Sequence, residues 1–181
     1  MALSAHGPQA GARSAPPMSD RDPSTNVRIQ PATIRMIGMI MRLERLCFQE
    51  DAWPWADVAS ILLWPGVVRL GALDSRDLVG FAAADRHWKP RTGMIATLAV
   101  HPGYRRRGVG RRLLAECEAK LDAAVIRLTV RVDNLAAIAL YETAGYQKRD
   151  TLPGYYSHGV AGLLMEKIRG EPAGAGPVSS P

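Results

Sequence analysis

Cysteine is scarce in this chain, with only Cys47 and Cys117 among 181 residues. Two thiols seventy positions apart have neither the spacing of a zinc site nor the density of a disulfide scaffold. Both fall in apolar helical patterns and read as buried thiols in a reducing compartment. Aromatic residues make up 6% of the chain, and only one, Tyr104, stands near its densest run of arginines. That scarcity argues against a base-stacking nucleic-acid surface, and no nucleic-acid motif accompanies the arginines. No apolar run approaches the ~18 residues that span a bilayer, so no membrane association is expected. No His/Cys cluster suggests a metal. The first 26 residues lack the apolar stretch of a secretory leader and are rich in Pro, Ser, Ala and Gly. They read as a flexible tail, as do residues 169–181, leaving one domain at 27–168 and a cytoplasmic protein.

What the chain does have is 47% hydrophobic residues and a net charge of +6. The first permits a real core, and the second suits an anionic ligand or an acidic partner. The charge is concentrated in the run from Ala99 to Leu114. There a short apolar strand ends at Val100, a proline turn follows, and an arginine- and glycine-rich loop opens an amphipathic helix. The first N–H groups of a helix have no internal partners, so strand, loop and helix start form an anion cradle. Gly108 and Gly110 carry no Cβ and allow a polyphosphate close to the backbone. Arg105, Arg106, Arg107, Arg111 and Arg112 bring positive charge to the same place. A dinucleotide fingerprint fails because Leu113 stands where its third glycine belongs. A nucleotide P-loop fails because no Gly-Lys-Ser/Thr follows.

Periodicity supplies the remaining elements. Val27 to Gln30 forms a short strand. A helix runs from the Pro31 turn to about Phe48, with Ile34, Ile37, Ile40, Met41 and Leu46 at helical spacing. A second helix begins near Pro54 and breaks at Pro65-Gly66. Strands follow at 67–73, 78–87 and 93–101, joined by turns at Asp74–Asp77 and Lys89–Arg91. A helix over 108–121 leads to a strand at 124–132. Asp133 or Asn134 then caps a helix that Gly145 ends. Strands at 146–149 and 160–168 finish a mixed α/β domain of about seven strands and four helices.

The motif Arg105-x-x-Gly108-x-Gly110, placed between a central strand and its helix, resembles the signature of the GNAT N-acetyltransferase superfamily. The run Arg131-Val132-Asp133-Asn134 through Tyr141-Glu142-Thr143-Ala144-Gly145-Tyr146 resembles its ribosomal-protein-alanine N-acetyltransferase branch. So do Phe48 with Trp53-Pro54-Trp55, and the Tyr155-Tyr156 pair. The resemblance covers roughly Val27 to Lys167. It implies an acyl-CoA N-acyltransferase fold with a mixed, mostly antiparallel sheet, and acetyl-coenzyme A as cosubstrate. The pyrophosphate would lie on the loop of Arg105, Arg106, Arg107, Gly108, Val109, Gly110 and Arg111. Leu98, Ala99 and Val100 would offer main-chain groups to the pantetheine arm and an N–H to the acetyl carbonyl. Asn134 would touch the cofactor, and Tyr141 would protonate the departing thiolate, two helical turns or ~10.5 Å further along one face. The expected acceptor is a protein or peptide N-terminal amine, attacked directly in a ternary complex. A small-molecule amine, or a non-catalytic acetyl-coenzyme A sensor, are the alternatives. Either a monomer or a homodimer fits, and no acyl-enzyme is expected, since neither cysteine falls in the constellation.

Two positions depart from the branch. Thr129 stands where a Glu, the expected general base, is usual; a Thr there leaves the option of a held water that passes the proton on. Ala161-Gly162 stands where an acidic residue usually precedes the last strand. Taken without the resemblance, Tyr141 is a half-buried core residue, Asn134 a helix cap and Thr129 an ordinary strand residue. His101 and His158 read as loop histidines, the second near the substrate side. Trp53, Trp55, Tyr155 and Tyr156 read as packing residues that, if exposed, would suit peptide binding.

Overall fold

The structure, a computed structural model, describes residues 26–169. The segments expected to be flexible therefore lie outside the described residues, apart from Asn26 and Arg169 at their edges. Strand β1 (Val27–Pro31) precedes helices α1 (Ile37–Phe48) and α2 (Trp55–Leu63). A meander of β2 (Val67–Asp74), β3 (Asp77–Lys89) and β4 (Thr92–Val100) follows. Then come α3 (Val109–Lys120), β5 (Val125–Arg131), α4 (Leu135–Thr143), β6 (Gln147–Leu152) and β7 (Gly162–Ile168). The seven strands form one sheet in the order β1-β2-β3-β4-β5-β7-β6. Only β4 and β5 run parallel. Among the described residues no helix is long and apolar enough to cross a membrane.

Alternation along the strands builds two apolar layers, one on each sheet face. Ala82, Ala84, Ile126, Leu128 and Met165 pack with Val109, Leu113, Leu114 and Cys117 of α3. Phe81, Ala83 and Ala99 pack on the other side with Ile40 and Leu43 of α1 and Val58 and Leu62 of α2. Small residues in β3 let α3 come close: a Cβ at Gly80 would meet Leu113 Cδ1 at 2.8 Å.

Two irregularities in β4 position the site. Thr97 pairs with Ala83 and Ile95 with Ala84, so Ala96 is an extra residue, a β-bulge. The bulge switches faces: Ile95 belongs to the α3 layer, whereas Ala99 belongs to the α1 layer. In addition, β4 pairs with β5 only from Thr92 to Ile95, opposite Val125 to Leu128. Beyond those residues the two parallel strands part, and the sheet opens.

The face of α1 differs from the sequence expectation. Leu46 is 49% exposed and Ile34 40%, while Leu43 and Glu44 are buried. The stripe that faces the sheet therefore runs through Ile40, Leu43 and Glu44, with a carboxylate inside it. β6 begins at Gln147 and runs to Leu152, three residues past the expected end, as an exposed edge strand without alternating burial.

Candidate active site

The gap between β4 and β5 opens into a cleft of about 460 Å³. Its floor is main chain and side chain of Ile95 to Leu98 and Leu128 to Arg131. α4 and its cap supply Asn134, Ala137 and Tyr141 on one side; the end of α1 and the segment after it supply Phe48 to Asp51 and Trp53 on another. Tyr156, Ser157 and His158, from the β6–β7 loop, close the third side. A volume of this size suits a slender substrate arm together with a small reacting group.

Below the gap, Gly108 caps α3 in the left-handed region at φ +76°. A Cβ placed there would meet nothing within 4 Å, so the space in front of the cap is open. The first helical bond of α3 runs from the Arg112 N–H to the Gly108 carbonyl, 3.0 Å. The amides of Val109, Gly110 and Arg111 precede it and have no helical acceptor. These features fit a diphosphate. Gly110 lies in the first turn of α3. A Cβ there would sit 3.4 Å from Leu140 and 3.5 Å from Val100, ordinary contact between α3, α4 and β4.

The arginines divide. Arg112 donates to the Val27 carbonyl at 3.1 Å and so is spent on β1. Arg105 Nε donates to the Val100 carbonyl at 3.2 Å, and Arg107 lies over the Tyr104 ring. Arg106, itself at φ +62°, and Arg111 have no ion pair among the described residues. Of the three β4 residues expected to face the cofactor, Leu98 lines the cleft, and Ala99 is buried toward α1. The Val100 carbonyl also accepts from Cys47 Sγ at 3.3 Å.

Cys47 is thus on the cleft wall, a place that its sequence position outside the motif residues does not predict. It is half-buried, and burial pushes its thiol up, away from the reactive thiolate. Cys117 is fully buried in the core, pushed up to about 12 by burial.

Tyr141 is 7% exposed and packs edge-on against Tyr146, with ring centroids 5.8 Å apart. Burial holds its phenol above the ordinary value of 10, so it remains an O–H donor over the neutral range. Asn134 caps α4 by accepting from the Ala137 N–H at 3.2 Å and also borders the cleft. Thr129 lies half-buried on the cleft face of β5. Its carbonyl accepts from the Tyr156 hydroxyl at 3.0 Å, and burial pushes that phenol up to about 12. His101 Nδ1 accepts from the Gly103 N–H in a turn. Trp55 and Tyr155 are exposed, and Trp53 is half-buried at the wall.

Two groups escaped the sequence reading. Asp51 accepts from the Ser157 amide at 2.9 Å and is paired with Arg131, whose other nitrogens reach Asp133. Burial works against its charge, but the Ser157 contacts and Arg131 outweigh it and hold the carboxyl below its usual range. Glu50 is paired with His158 alongside. These contacts tie the two loops over the cleft. The second group is Glu44, 1% exposed, whose Oε1 accepts from Thr97 Oγ1 at 2.9 Å. Burial pushes it up to about 7, against the pull of the Thr97 hydroxyl and the Trp53 main-chain amide. Its only early signal was a charged residue four positions after Ile40, on the apolar face of α1.

Residues 37–146 match the Acetyltransferase (GNAT) family model. The chain is 35% identical over 156 residues to an uncharacterized protein of Mycobacterium leprae, matching 84% of this chain but spanning only 43% of that relative. It is also 35% identical over 127 residues to the N-alpha-acetyltransferase RimI of Mycobacterium tuberculosis, 68% of this chain and 80% of that one. The solved ribosomal-protein-S18-alanine N-acetyltransferase from Escherichia coli superposes with a TM-score of 0.73. It is 23% identical, over 85% of this chain and 99% of that one, a likeness of fold. Other solved structures of this fold hold coenzyme A or acetyl-coenzyme A.

Proposed function

The chain belongs to the acetyltransferase (GNAT) family, and from that premise we propose that it acetylates the α-amine of a protein or peptide N-terminus. The donor is acetyl-coenzyme A, the cosubstrate of this family. The observation that carries the reading is the adjacency of cradle and cleft: the first turn of α3 packs at Gly110 on Val100 of β4 and Leu140 of α4, the two elements whose Leu98 and Tyr141 line the cleft. The amides of Val109, Gly110 and Arg111, with Arg106 and Arg111, hold the diphosphate. The main chain around Leu98 polarises the acetyl carbonyl, and Tyr141 donates a hydrogen bond to the departing sulfur. The cosubstrate supplies a thioester carbon open to attack; the protein supplies placement, exclusion of water and proton handling.

An N-terminal amine suits a chain with Thr at position 129. Its pKa of about 7.7–8.0 leaves on the order of a tenth of it neutral at pH 7, far more than for a lysine near 10.4. The half-buried Trp53 and Tyr156 offer apolar walls beside the ion pairs of Asp51 with Arg131 and Glu50 with His158, a lining that suits a peptide end. Coenzyme A release with a panel of peptides and small amines tests the reading. Turnover of a peptide beginning with alanine is the expected result. Turnover of small amines alone would overturn it in favour of a small-molecule acceptor, and binding of acetyl-coenzyme A with no turnover would favour a sensor.

A further inference from the structure

Amide formation releases a proton from the attacking nitrogen, and at position 129 of β5 the cleft offers only a hydroxyl. The hydroxyl of Thr129 cannot serve as a base at neutral pH. Asp51 and Glu50 border the cleft but are held in ion pairs with Arg131 and His158; one further carboxylate lies immediately behind the cleft floor. Thr97 lines the cleft on β4, and its Oγ1 donates to Glu44 Oε1 at 2.9 Å. The bulge at Ala96 makes this possible, because it turns Thr97 toward α1 while its main chain stays at the gap. Glu44 is 1% exposed, and its Oε2 has no hydrogen-bond partner among the described residues. A buried carboxylate with one oxygen lacking a close donor is an expensive way to hold a helix against a strand, since a glutamine or leucine would do so without charge.

We propose that Glu44, acting through the Thr97 hydroxyl, takes up the proton that the acceptor amine loses, a reading that rests on acetyl transfer to an amine in this cleft. The nitrogen lone pair forms the bond to the acetyl carbon, and the carbon–sulfur bond breaks. Sulfur leaves with one proton, donated from the Tyr141 side. Nitrogen gives its surplus proton to Thr97 Oγ1 as the Thr97 proton passes to Glu44 Oε1. The carboxyl returns that proton by the same path once the amide has left. Nitrogen loses one proton and sulfur gains one, so the step balances.

The groups that bear on Glu44 are few. Thr97 from β4 and the Trp53 amide from the segment between the helices favour its charged form, and burial opposes it. On its own helix, Cys47 feels its charge; Arg105 bears on Cys47 and on the Val100 carbonyl. With a carboxyl lifted to about 7, proton uptake switches on within the range where N-terminal amines become neutral.

The test compares kcat of wild-type protein, Glu44→Gln, Thr97→Val and Thr97→Ser with an alanine-initiated peptide, from about pH 5.5 to 9. The ratio of wild type to Glu44→Gln cancels the titration of the amine, which both share. It is expected to approach one at the acid end and to reach on the order of 10² above neutrality. Thr97→Val should match Glu44→Gln, and Thr97→Ser should restore wild-type behaviour. A ratio that does not vary with pH, or Thr97→Val as active as wild type, would overturn the proposal. So would a loss of acetyl-coenzyme A affinity in Glu44→Gln by calorimetry, which would mark Glu44 as part of the wall. Wild-type protein that acetylates no amine would instead overturn the acetyltransfer reading beneath it, whereas active wild type with a flat ratio overturns only the role of Glu44.

Discussion

Replacing Glu44 by glutamine should stabilise this protein, and the gain should depend on pH. The carboxyl is moved by burial from its ordinary 4.5 to about 7 in the fold. The folded state therefore holds a proton more tightly than the unfolded chain, and stability falls as pH rises through that window. At roughly 1.4 kcal/mol per pH unit, the full penalty for the ionised form is about 3 kcal/mol. It is absent below about pH 4.5 and complete above about pH 7. Glu44→Gln keeps the volume and an acceptor for the Thr97 hydroxyl but cannot ionise. Its advantage over wild type should thus grow by about 2–3 kcal/mol between pH 5 and pH 8. For a domain of this size that corresponds to roughly 5–10 °C in Tm. Urea unfolding of both proteins at the two pH values measures it directly. An offset that stays constant with pH would mean that Glu44 does not titrate in the fold, and the reasoning from its burial would be wrong. A large penalty alongside reduced turnover in the same variant would show stability given up for chemistry.

Two further outcomes follow from the geometry around the cosubstrate. Tyr141→Phe should lower single-turnover acetylation on the order of 10², yet leave the basic side of the pH profile unmoved, because burial keeps this phenol protonated across the accessible range; unchanged turnover would remove Tyr141 from the chemistry. Gly108→Val should weaken acetyl-coenzyme A binding at least about tenfold, because it strains a left-handed residue and fills the open space before the α3 cap. Gly110→Ala should bind within about twofold of wild type, since its new methyl finds ordinary contact with Leu140 and Val100; calorimetry giving the reverse order would refute the assignment of the two glycines.

The order of elements was legible because it rests on local signals. Alternation in β2 to β5, the Gly108 loop and the Asn134 cap are written in adjacent residues. The strand ends shifted by up to three positions: β2, β3 and β6 run past the apolar pattern, whereas β5 and β7 stop short of it. The face of α1 was legible in part. Ile37, Ile40 and Met41 pack on the core as their spacing predicts, but Ile34 and Leu46 are exposed, and contact with β3 and β4 brings Leu43 and Glu44 inside instead. Much of what shapes the cleft depends on partners far along the chain. Asp51 meets Arg131 across 80 positions and Ser157 across 106. Thr97 meets Glu44 across 53. The bulge at Ala96 leaves no mark in composition, and it decides which layer Thr97 joins. Arg112 looked like a ligand for phosphate because it stands in an arginine run. One turn into α3, it reaches β1 instead.

The position of β7 between β5 and β6 bears on how the molecule is made. During synthesis β5 and β6 leave the ribosome with no mate for the edges they later share, and the insertion of residues 162–168 completes both at once. The Thr129 edge of β5 has no partner strand until then, so the acceptor side of the cleft depends on the last strand of the sheet, whereas the cradle at α3 is built from residues that come before it.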